Sequence, residues 1–163
     1  MKGTMVKIMA GTIVVFAILM LAETGNAQRV RRESRGRAMT KAQVKAVISR
    51  VEDRVDNFVR NYDKALDRSR LDGSSRENWL MNRARDLESA TDELSREFDR
   101  RDAWIENKDE VRRCLNIASD IDRNMRNYKY GAAAEGNWDR VRYELNTLAD
   151  IYNLPRVGAA AYH

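Results

Sequence analysis

The sequence predicts an all-α fold, an antiparallel up-down-up-down four-helix bundle with coiled-coil-like heptad seams. Three observations carry that prediction. From Val44 to Ala65 the apolar residues Val44, Ile48, Val51, Val55, Phe58, Tyr62 and Ala65 recur at alternating steps of four and three. Charged residues make up 34% of the chain and aromatics only 7%, the balance of long surface-charged helices. With one Pro and 8 Gly in 163 residues, there is little punctuation for a strand-rich fold. A helix with one narrow apolar stripe needs partners against it, and the chain offers three further segments with the same rhythm.

The chain opens like a secretory signal over residues 1–27. Lys2 and Lys7 precede a mostly apolar run from Ile8 to Ala22. Gly25-Asn26-Ala27 then sets small residues before a cleavage point at Gln28. The expectation is an exported protein, periplasmic or extracellular. An uncleaved membrane anchor is the alternative: the run is short against the ~20 residues of a span, yet Arg29, Arg31 and Arg32 follow at once and resist translocation.

Residues 28–39 read as a flexible basic arm without apolar periodicity. Arg29, Arg31, Arg32, Arg35 and Arg37 are the candidate polyanion-binding residues, because the planar guanidinium fork suits phosphate and carboxylate. The charge distribution is uneven. The net charge is +5, with +1 in residues 1–27, +5 in residues 28–41 and −1 in the remainder. The partners expected are a protein, or an anionic envelope polymer or lipid. Export argues against nucleic acid, no helix displays a basic groove-reading face, and no small-molecule substrate is evident. An inert leader is the competing reading of the arm.

Residues 40–154 hold the bundle. Thr40-Lys41-Ala42-Gln43 fits a capping box, and the first helix is expected to reach about Arg70. Leu71 to Ser75 forms a turn, with Ser74 or Ser75 capping the second helix. Its seam is Leu80, Ala84, Leu87, Thr91, Leu94 and Phe98, with Trp79 and Ala90 alongside. Asn107-Lys108-Asp109-Glu110 resembles a second capping box. The third helix carries Val111, Cys114, Ala118, Ile121, Met125 and Tyr128, widened by Leu115 and Ile117, and Gly131 is available as its left-handed cap. Asn137 is expected to cap the fourth helix, with Trp138, Val141, Leu145, Leu148 and Tyr152 inward and Leu154-Pro155 as the stop. A small-residue tail occupies 155–163. This topology puts Trp79 beside Trp138, near Tyr62 and Tyr128, and gathers Trp104, Phe98 and Tyr152 at the other end. Either aromatic group reads as a ligand pocket or as a core plug.

Catalytic and cofactor constellations are absent from the sequence pattern. The only His is the terminal His163, so no Glu-x-x-His or haem motif exists, and no metal or other cofactor is expected. Cys114 is the sole Cys. In an exported protein it is either a buried thiol on the third seam or an intermolecular disulfide that would make a homodimer. The carboxylates Glu52, Asp53, Asp86, Glu88, Asp92 and Glu93, interleaved with Arg, read as a solvated face rather than an inward acid pair. The expected function is therefore non-enzymatic: interaction or structure at the cell envelope.

Three stretches carry a resemblance: Ala65 to Gly73, Phe98-Asp99-Arg100-Arg101, and Trp138 to Tyr152. There the chain resembles small secreted helical proteins of soil bacteria, which implies export and a helical fold and no particular activity. Met39-Thr40-Lys41-Ala42-Gln43 is faintly similar to the Leu-Thr-x-x-Gln motif of periplasmic ATP-independent helical chaperones, with Met in place of Leu and no second copy. That likeness implies the alternative function, a periplasmic holdase.

Overall fold

A computed structural model describes residues 39–159. The expected signal segment 1–27, nearly all of the arm with its five arginines, and residues 160–163 lie outside the described residues. Among those described, the structure is all-helical with no strand. It comprises α1 (Lys41–Leu66), α2 (Ser75–Arg100), a 3-10 turn (Trp104–Asn107), α3 (Lys108–Asn127) and α4 (Ala132–Tyr152). No described helix is long and apolar enough to cross a membrane.

α1 begins with the expected capping box. The Gln43 amide donates to Thr40 Oγ1 at 3.2 Å, and the Thr40 amide donates to Gln43 Oε1 at 2.8 Å. Its buried stripe holds six of the seven expected residues, from Val44 to Tyr62, and adds Val47, Val59 and Leu66; Ala65 is only half-buried. The helix stops at Leu66, four residues early. Ser69 Oγ takes the Leu71 amide at 3.0 Å, a local bond that competes with the helical ladder.

Ser74 caps α2 by accepting from the Glu77 amide at 3.1 Å, and Glu77 Oε2 returns to the Gly73 amide at 2.6 Å. Every expected seam residue of α2 is buried. Trp79 is the exception to the aromatic expectation. Leu80 and Met81 take the inward positions, so Trp79 is turned outward and 47% exposed, and it makes no ring contact with Trp138.

α3 starts differently from the capping box expected at Asn107. The 3-10 turn feeds directly into the helix, and Asn107 caps nothing. Its Nδ2 points back to the Trp104 carbonyl at 3.3 Å, and its buried Oδ1 has no hydrogen-bond partner. Tyr128, expected inward, is the C-cap and is 42% exposed.

α4 starts five residues before Asn137. Ala132-Ala133-Ala134 has the highest helix propensity available and extends the helix backward. Asn137 is internal, donating to the Ala133 carbonyl at 2.9 Å. Gly131 (φ 92°, ψ 152°) is the N-cap of α4, not a left-handed cap on α3. α4 ends at Asn153 in the left-handed conformation (φ 51°, ψ 55°), with the Leu154 amide reaching back to the Ala149 carbonyl at 2.9 Å.

α1 packs on α2 and α4, and α3 packs on the same two helices. The core between them is closed by rings. Phe58 stacks on Tyr62 at 4.8 Å and lies 5.1 Å from Trp138, and Tyr130 meets Tyr62 edge-on at 5.3 Å. The expected cluster thus forms around Phe58 and Tyr130 instead of Trp79. Trp104 and Tyr152 do meet, edge-on at 5.3 Å, with Tyr152 Oη donating to the Trp104 carbonyl at 2.8 Å. Phe98 is buried under the Lys41 ammonium, 5.6 Å above its ring.

Candidate functional site

Cys114 lies on the inner face of α3 with no exposed surface. Burial pushes its thiol up to about 12, against a smaller opposing pull from Arg113. At neutral pH it is a protonated, apolar-like side chain. A bridge to a second copy would require the core to open.

The solvated face is largely as expected. Asp86 pairs with Arg83 at 3.2 Å and Glu93 pairs with Arg113. Arg83 also reaches Asp120 at 2.6 Å, and Arg112 pairs with Asp109. Arg83, Arg112 and Arg113 line a shallow α2–α3 cleft of about 740 Å³ with Asp86, Asp109 and Asp120, and each of these three arginines is matched by a carboxylate, that of Arg113 being Glu93 outside the cleft lining. Glu88 differs: partial burial first, then Asp56 and Asp92, holds its carboxyl above the usual range. Asp67, Asp72 and Glu77 bring carboxylate oxygens within 4.8 Å of one another at the α1–α2 turn. Glu77 is already engaged there by the Gly73 amide.

Two acids face inward, which the sequence pattern did not anticipate. Asp122 on α3 has no exposed surface. Its Oδ1 accepts from Trp138 Nε1 at 3.0 Å and from Arg142 Nη1 at 3.4 Å, both on α4. Its Oδ2 has Arg126 Nη2 at 3.1 Å as ion-pair partner, outside hydrogen-bond geometry. Glu144 on α4 is 9% exposed and pairs with Arg50 Nε of α1 at 3.1 Å. A signal for both was present. Asp122 follows Ala118 by four, and Glu144 follows Val141 by three, so each sits one helical step along an apolar face.

The Asp122 constellation is the most organised polar site among the described residues. One carboxylate gathers an indole N–H and two guanidinium groups from two helices. Charge and hydrogen bonds of this kind offset the desolvation of a buried carboxylate. The arrangement clamps α3 to α4, and the chain from Arg156 to Gly158 lies over it. Burial also raises the Tyr62 phenol well above its ordinary range, with Tyr130 adding to the effect. Neither hydroxyl has a hydrogen-bond partner among the described residues.

No match to this chain is found among protein-family models, curated proteins or solved structures.

Proposed function

We propose that this chain is a non-enzymatic, exported helical bundle that acts in interaction or structure at the cell envelope, held at anionic surfaces by Arg29, Arg31, Arg32, Arg35 and Arg37. The observation that carries the reading is the charge partition. Residues 39–159 sum to zero, so the whole excess of +5 belongs to residues 1–38. A neutral helical body with a basic leader concentrates electrostatic attraction in the leader, at about 1 kcal/mol per basic residue near an anionic membrane.

The reading includes an antiparallel up-down-up-down arrangement with heptad seams. It is supported by rungs joining opposite ends of successive helices. Lys45 near the start of α1 meets Asp99 near the end of α2 at 2.7 Å, and Arg76 at the start of α2 meets Asn124 near the end of α3 at 3.2 Å.

In-cell crosslinking and pull-down, with the arm intact and with residues 28–39 deleted, tests the proposal. Recovery with lipid or envelope polymer that is lost with the arm and weakens with salt is the expected result. Salt-insensitive retention without the arm overturns the tether. The holdase reading draws on the exposed side chains Trp79, Ile105, Tyr128 and Tyr143. Recovery of a broad mixture of unfolded clients, together with suppression of client aggregation at stoichiometric amounts, would favour it instead.

A further inference from the structure

The segment after α4 turns back onto the molecule. Asn153 in the left-handed conformation and Pro155 direct it, and four contacts seat it over the α3–α4 seam. Arg156 donates through Nε and Nη2 to the two oxygens of Asp150, at 2.8 and 2.5 Å. The Val157 amide donates to Asn146 Oδ1 at 2.8 Å. The Val157 side chain is 4% exposed. At Gly158 (φ 78°) the carbonyl accepts from Arg126 Nη1 at 3.5 Å, and a Cβ built there would stand 2.8 Å from Asp122 Oδ2. A cleft of about 410 Å³, lined in part by Arg142, Tyr143 and Asn146, continues beside the seated segment.

These contacts have the composition of peptide recognition: a bidentate ion pair, a backbone donor caught by a side-chain amide, one aliphatic anchor and one position that admits only glycine. We propose that the α3–α4 groove over Asp122 is a peptide-binding site, occupied in cis by residues 156–158 and open in trans to an extended segment that presents Arg, an aliphatic residue and Gly in succession. The seated segment names the chemistry of its own competitor. Its polar partners are exposed or half-buried and Val157 is its single buried anchor, so it opens at lower cost than the helices, each of which buries a whole apolar stripe. Tethered to α4, it competes at an effective concentration on the order of mM, and a trans peptide binds only in proportion to the fraction opened. The site is separate from the arm and does not depend on the tether.

The test uses the full chain and a fluorescent peptide with the sequence of residues 153–159, followed by anisotropy. Val157→Asp and, separately, Gly158→Val unseat the cis segment while leaving the groove residues intact. Each variant should bind the peptide at least tenfold more tightly than the unmodified chain. A peptide carrying Asp at the Val position should not bind, and Asn146→Ala in either variant should abolish the gain. Variants with unchanged helical circular dichroism that bind no better than the unmodified chain overturn the proposal. Hydrogen exchange of the Val157 amide in the unmodified chain tests the opening of the segment independently of any peptide. Exchange well ahead of the α4 core amides is expected, and exchange only through global unfolding overturns the proposal as well.

Discussion

Asp122 shows how one carboxylate organises two helices. Its acceptor role toward Trp138 Nε1 is geometric, and its charge answers Arg126 and Arg142, both substantially exposed. Asp122→Ala orphans a buried indole N–H and should cost about 1–3 kcal/mol. Asp122→Asn keeps an oxygen for the indole and should cost clearly less; urea unfolding of both variants measures the difference. Gly158→Ala places a methyl against the same carboxylate at positive φ and should destabilise by about 1–2 kcal/mol, read as a lower thermal midpoint.

Glu88 gives the opposite sign. Its carboxyl is raised in the folded state, so the folded chain holds the proton more tightly than the unfolded chain. Folding is therefore favoured at acid pH, and that advantage is lost as pH rises through the interval between the unfolded and folded values. Glu88→Gln should stabilise at neutral pH, by no more than about 0.5 kcal/mol for a surface position, and the gain should vanish below the carboxylate range. A series of unfolding curves against pH checks it. Cys114 should resist thiol reagents in the folded chain and react at once in denaturant, since its thiol is both buried and protonated.

At the scale of elements, helix starts were legible where a side chain with the right reach stood in the right place. Thr40 and Gln43 satisfy each other's backbone, and Thr40→Ala should cost about 1 kcal/mol in unfolding free energy, measured by denaturant titration. Asn107 and Asn137 carry the same local signal and cap nothing. At Asn107 the chain arrives through a 3-10 turn tied down by Trp104, which fixes the asparagine backbone in a conformation unsuited to capping. At Asn137 three preceding alanines cost nothing to add to a helix, so the terminus moves past the asparagine. Capping signals compete with propensity and with what the previous element leaves, and a single sequence window holds only part of that competition.

For the whole molecule, the separation of charge and core is the main consequence. The apolar stripes of α1 to α4 meet in one cluster, and the excess charge lies in residues 1–38. Deleting residues 28–38 should therefore leave the thermal midpoint within about 2 °C while it abolishes salt-sensitive binding to anionic vesicles; calorimetry and co-sedimentation read the two effects separately.

Periodicity alone indicated that residues 40–154 are helical, roughly where the four long helices lie and most of the residues on their inner faces, because a helix with an apolar stripe must bury it. Tertiary structure decided the rest. It turned Trp79 outward while Phe58, Tyr62, Tyr130 and Trp138 filled the core, drew Asp122 and Glu144 inside, and seated Val157 and Gly158 over the α3–α4 seam. Those outcomes depend on which side chains from distant segments reach the same point, and on whether a buried charge finds its partners there. Spacing along the chain is a property of one helix, whereas partnership is a property of two.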